Sequence, residues 1–221
     1  MDFFKKILLS FLSLFPIVAS AQWKVGMTGG ATLNHYTIDK HYMEDWHYDD
    51  GWGATFGIMG QYDFLKWKKW QLGVRADLSY LGKKHKEYRT EQRMSYHITN
   101  KYIQLPIAAN ISWGGKVRFF AQIGVYGAYW KSMVKEGQVG YLIGNTTFTK
   151  IDDFDSKREQ RWEFGYVGGI GCEWLCWEQW RIQMEIRDFY SVTSTQKDYM
   201  RIKDPRYNNT IALQGGICWV F

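Results

Sequence analysis

Proline and cysteine are scarce, at three of each in 221 residues. So few prolines, with no Gly-X-Y period, exclude a collagen-like chain, and a 46% hydrophobic content excludes an intrinsically disordered one. The cysteines, Cys172, Cys176 and Cys218, are odd in number and match no zinc-site spacing. A disulfide framework is therefore excluded; one bridge stays open, and small packed residues are the simpler reading. No apolar run of about 18 residues follows position 21, so no helical membrane span is expected there, and mean hydropathy is −0.39. Sustained heptads are missing, which removes a coiled coil. There is no GxSxG elbow, Walker loop, dinucleotide fingerprint or HExxH pair, so neither an enzyme nor a cofactor is expected.

The first 21 residues stand apart. Lys5-Lys6 precedes an apolar stretch from Ile7 to Val18, and Ala19-Ser20-Ala21 supplies an A-x-A cleavage pattern. Residues 1–21 thus read as a signal peptide and 22–221 as the exported domain. Cleavage removes two lysines and one aspartate, lowering the net charge of +6 by one.

What the chain has in quantity is rings and glycine: 12 tryptophans, 15 tyrosines, 13 phenylalanines and 22 glycines. They are ordered with period two, the mark of strands. Eight alternating runs are expected, at 23–34, 52–64, 70–81, 101–113, 117–130, 161–174, 180–190 and 209–221. Short links (65–69, 114–116, 175–179) alternate with long polar ones (35–51, 82–100, 131–160, 191–208). That is an up-and-down meander with its short turns at one end and its long loops at the other.

Sorting each run by parity separates two faces. One is apolar, as in Ile103, Leu105, Ile107, Ala109 and Ile111, and carries no charge. The other holds Lys24, Asp63, Arg75, Asp77, Arg118, Glu163, Glu173, Arg181, Glu185 and Arg187. The same polar face carries Gly26, Gly30, Gly53, Gly57, Gly73, Gly124, Gly165, Gly169, Gly171 and Gly216. Small residues belong where space is short, on the concave side of a narrow barrel, so the apolar face turns outward into lipid. In a water-soluble barrel the apolar rings would instead have to fill the interior. Tryptophans near strand ends (Trp23, Trp52, Trp70, Trp113, Trp162, Trp174, Trp180, Trp219) fit the aromatic girdles of a membrane barrel. The expected fold is all-β: an eight-stranded antiparallel transmembrane barrel of outer-membrane type, closed because an open edge in hydrocarbon leaves backbone groups unpaired.

The ten polar-face charges cancel, five of each sign, so the interior is expected to form a charge network that plugs the barrel. If Trp174 faces Trp180, Glu173 lies directly opposite Arg181. A narrow pore for small solutes remains the alternative.

Several strands then resemble the PorT-like family of small outer-membrane β-barrels. Tyr102-Ile103-Gln104-Leu105-Pro106 is similar to the family's Tyr-Leu-x-Ile-Pro strand, Gly124-Val125-Tyr126-Gly127 fits the next, and the run Phe164 to Gly171 resembles its glycine-rich sixth strand. The C-terminal Ile217, Trp219 and Phe221 resemble the assembly signal read by the barrel-insertion machinery. The resemblance implies an outer-membrane protein with its termini in the periplasm and its long loops outside. A structural or interaction role follows: loop presentation, or service to an envelope or secretion complex, since the founding member is implicated in secretion.

The loops offer weaker signals. His35, His41 and His47 recur every six residues beside Asp39, Glu44, Asp45, Asp49 and Asp50, a spacing that fixes no metal geometry, so no metal site is assigned. Lys83, Lys84, Lys86, Arg89 and Arg93 make 82–100 basic, which suits contact with glycolipid phosphates of the outer leaflet. His35, Ser79, Ser95, His97 and Ser191 fall near that rim, but no pair is spaced to force contact, so a glycolipid-modifying enzyme ranks last. Nucleic acid is not an expected partner of an exported chain this weakly basic.

Overall fold

The computed structural model describes residues 22–38, 46–89, 94–141, 144–151, 154–197 and 206–221. Nine strands fill most of them: β1 (Gln22–Ile38), β2 (Trp46–Trp67), β3 (Trp70–Arg89), β4 (Met94–Gly114), β5 (Val117–Tyr141), β6 (Gly144–Ile151), β7 (Trp162–Leu175), β8 (Trp180–Ser191) and β9 (Arg206–Val220). Eight of them close an antiparallel ring in the order β1-β2-β3-β4-β5-β7-β8-β9, shut by pairing β9 back onto β1 from Lys24↔Val220 to Ile38↔Arg206. β6 lies outside the ring, hydrogen-bonded to the far end of β5 from Val134↔Ile151 to Tyr141↔Gly144.

All eight expected strands are in the ring, but four run well past the expected ends. β2 to β5 have 22, 20, 21 and 25 residues, whereas about 9–11 suffice to cross the apolar band. Much of the expected loops 35–51, 82–100 and 131–160 is therefore regular hairpin. The extra length forms one sheet, β2 to β6, beyond the loop-end aromatics. Period-two patterning fades there because the outer face meets water rather than lipid while polar groups such as Lys83 and His85 still fill the inner one, so both faces are polar.

Within the band the alternation is strict. Ile103, Leu105 and Ile107 are 41–47% exposed while Gln104 and Asn110 are at most 2%. A bulge between Asp63 and Leu65 breaks the β2–β3 register near the turns. The β3–β4 ladder is interrupted between Ala76↔Ile107 and Ser79↔Gln104, beside Pro106, which has no N–H to give.

The lumen glycines show why the barrel can be narrow. A Cβ on Gly57 would lie 2.5 Å from the Leu78 carbonyl oxygen, and one on Gly124 2.5 Å from the Ala108 Cα; six of the other eight are as crowded, while Gly169 and Gly216 have somewhat more room, at 2.9 and 2.8 Å. On the lipid face, by contrast, Gly60 and Gly168 have nothing within 4 Å of such an atom. Curvature, not turn geometry, requires these glycines.

Candidate functional site

All ten predicted interior charges are buried, each at most 9% exposed, and they sit in three tiers along the lumen. At the turn end, Glu173 is the hub. Lys24 Nζ lies 3.2 Å from it, Arg118 Nη1 3.3 Å and Arg181 Nη1 3.4 Å. Lys24 also reaches Asp63 at 3.2 Å, Gln61 donates to Asp63 at 2.6 Å, and Arg118 donates to Gln71 at 2.6 Å.

The middle tier is a closed square. Arg75 meets Asp77 and Glu185, each at 2.9 Å, and Arg187 meets the same two carboxylates at 3.0 and 3.1 Å. Gln122 adds a bond to Glu185 at 2.9 Å. Two arginines and two carboxylates leave no net charge, and each carboxylate is shared by two guanidinium forks.

The loop-half tier corrects the sequence reading. Lys83 was expected on a solvated loop, facing glycolipid; it is fully buried and paired with Glu163, and donates to the Asn208 carbonyl at 3.3 Å. Tyr126 donates to Glu163 at 2.8 Å, and the Lys83 ammonium stands 4.9 Å from the Tyr102 ring centre. The reason is parity: β3 continues to Arg89, so its odd positions keep pointing inward and carry Lys83, His85 and Glu87 into the lumen. With Lys83 and Glu87, the buried charges among the described residues number six of each sign. Around this tier Leu81, Tyr102, Trp130, Met133, Val167 and Phe189 form an apolar plug, with Trp130 stacked 5.8 Å from Tyr102. All but Met133 lie within the expected strands, at the parity of the polar face, where sorting by charge and polarity leaves apolar residues unassigned.

The second correction concerns register. Trp174 pairs with Ile182 rather than Trp180, and Glu173 with Gln183. Arg181 still reaches Glu173, along the diagonal.

Beyond the loop-end aromatics, His85 stacks on Tyr36 (4.4 Å, 4° between planes) and lies 3.5 Å from Glu87. Burial holds the Tyr36 phenol above its usual pKa, and its hydroxyl shares a hydrogen bond of 3.3 Å with that of Thr195. His35 is on the outside, 63% exposed, with Nδ1 2.8 Å from Asp50; His47 stacks on Tyr88, His97 is exposed, and His41 lies outside the described residues. Among the described residues no group of three or more His, Cys, Asp or Glu is arranged to hold a metal ion. Ser79 and Ser191 are turned inward and donate to backbone carbonyls, of Gln104 and Thr193. Cys172, Cys176 and Cys218 are all free thiols. Lys84 is exposed, Arg93 lies outside the described residues, and only the backbone of Arg89 is described. Ile217 and Phe221 face outward at 41% and 69% exposure, and Trp219 packs edge-on against Trp180 at 4.8 Å.

A family model described as outer membrane protein beta-barrel domain matches residues 18–197. No curated protein matches the chain. Among solved structures it is similar to OprG of Pseudomonas aeruginosa (10% identity, TM-score 0.48, 91% of this chain and 96% of that one). It is also similar to Ail of Yersinia pestis (12% identity, TM-score 0.40, 90% and 98%) and to the protease OmpT of Escherichia coli (8%, 0.46, 90% and 97%).

Proposed function

The chain belongs to the outer membrane protein β-barrel domain family and resides in the outer membrane; from that premise we propose that it is a non-conducting barrel that works by what it displays outside. The observation that carries this reading is the lumen. Six buried cations and five carboxylates are packed against one another in three tiers, with the aromatic plug at the third and the sixth buried carboxylate, Glu87, beyond it beside His85. Such groups hold the wall rigid, because an unpaired buried charge costs several kcal/mol. The polar surface left free is the β2–β6 sheet beyond the membrane, the natural contact for an envelope or secretion partner.

Finer parts of the reading rest on the residues. Within the family we place the chain with the PorT-like barrels, on its Tyr102–Pro106 and glycine-rich β7 segments. Residues 1–21 act as signal peptide, the turn end faces the periplasm, and Ile217, Trp219 and Phe221 are offered to the insertion machinery. Glycolipid contact is assigned to Lys84 and Lys86 on the outward face of β3, not to Lys83. No catalytic role is assigned, and the inward-turned serines support that choice. The test is reconstitution into planar bilayers with a parallel crosslinking pull-down from outer membranes. Silent bilayers and a specific crosslink through the β2–β6 sheet are expected; a steady open channel would transfer the reading to a narrow solute pore.

A further inference from the structure

The turn end carries a feature that the lumen does not use. The bulge between Asp63 and Leu65 brings Leu65 opposite Leu72 and Trp67 opposite Trp70. There the outer surface carries a notch of about 300 Å³ walled by Leu65, Trp67, Trp70, Gln71, Leu72 and Ile111, almost all of its exposed lining apolar. It opens sideways into the hydrocarbon, at the level where the turns meet water. Beside it lie Lys68 and Lys69, which form the β2–β3 turn, and in the adjoining β4–β5 turn Lys116, all exposed. The Gly114 amide donates to the Lys69 carbonyl at 3.0 Å and so ties the two turns side by side. Lys68 stands over the Trp67 ring, 5.5 Å from its centre. Neither turn carries an acid; the Lys116 carbonyl accepts from the Leu175 amide at 2.8 Å, which sets the β7–β8 turn with Glu178 on the far side of Lys116 from the notch.

We propose that this notch holds one anionic phospholipid of the adjoining leaflet, an acyl chain lying between Trp67, Trp70 and Ile111 and the headgroup phosphate meeting Lys68, Lys69 and Lys116. The apolar lining selects an occupant that arrives with hydrocarbon. The three exposed lysines select a negative headgroup, because each basic residue near an anionic surface contributes appreciably. The low volume admits a chain but not a helix. Only the identity of the leaflet, the periplasmic one, rests on the orientation proposed above; binding does not.

The test uses the full barrel in nanodiscs of equimolar phosphatidylglycerol and phosphatidylethanolamine, with retained lipids counted by native mass spectrometry. Phosphatidylglycerol should be retained in at least about fivefold excess. Combined Lys68→Asn, Lys69→Gln and Lys116→Gln should bring the two lipids to parity; Asn is used at Lys68 because φ there is 55°. The loop-end change Lys84→Gln, Lys86→Gln should keep the preference. Trp67→Ala should reduce the number of retained lipids. Equal retention by the wild type, an unaltered preference in the triple variant, or displacement of the lipid by inorganic phosphate would overturn the site.

Discussion

Glu173 and Arg181 approach to 3.4 Å although they are not cross-strand partners: the β7–β8 ladder sets Gln183 opposite Glu173 and Leu175 opposite Arg181. The diagonal contact exists because Glu173 serves three cations at once, and Arg181 must lean toward the position that Lys24 and Arg118 also occupy.

That sharing decides what a charge deletion does. Glu173→Gln strips the acceptor from Lys24, Arg118 and Arg181 together and should cost about 3 kcal/mol or more. Adding Arg181→Gln should restore about 1 kcal/mol, and no more, since two cations remain. Urea unfolding in lipid vesicles measures both. Strictly additive effects would reject the pairing.

Orientation is read by thiol labelling. With an impermeant reagent, Asp49→Cys and Lys84→Cys should be modified on intact cells, both positions being exposed at the loop end. The native Cys176, in the β7–β8 turn, should react only once the outer membrane is opened. The reverse pattern would invert the barrel.

The lipid face is tested at Ile107, 46% exposed on β4. Ile107→Arg puts a charge near mid-membrane and should cost roughly 2–4 kcal/mol. Wild-type stability in bilayers would return that face to the interior.

Glycine crowding gives a paired test on one strand. Gly57→Ala forces a methyl against the Leu78 carbonyl oxygen and should lose roughly 1–3 kcal/mol. Gly60→Ala meets open space and should change stability by under about 0.5 kcal/mol. Equal effects would remove curvature as the reason for the lumen glycines.

Inside the membrane almost everything was legible from the sequence, because lipid on one side and a packed lumen on the other impose opposite chemistry on alternate residues. Ile103 to Asn110 can be assigned by parity alone. Legibility ended where that contrast ended. Lys83 and His85 sit on a segment whose outer face meets water, so nothing in their neighbours' polarity marked them as inward. The β7–β8 register was missed for a related reason: matching Trp174 with Trp180 assumed a symmetric turn, whereas the ladder places Ile182 there. Chains of interacting charges such as Glu173 with Lys24, 149 positions apart, have no local signature at all.

The pairing of β1 with β9 also fixes the order of events in biogenesis. Lys24 finds Val220 only when the last segment has been delivered, so the ring cannot be sealed piecemeal as the chain is exported. Until then the first strand keeps an unsatisfied edge, and the chain must be carried to the membrane without it finding a neighbour. A protein shortened by its final fifteen residues would thus lose more than one strand in eight. It would lose the closing step itself and become a substrate for degradation.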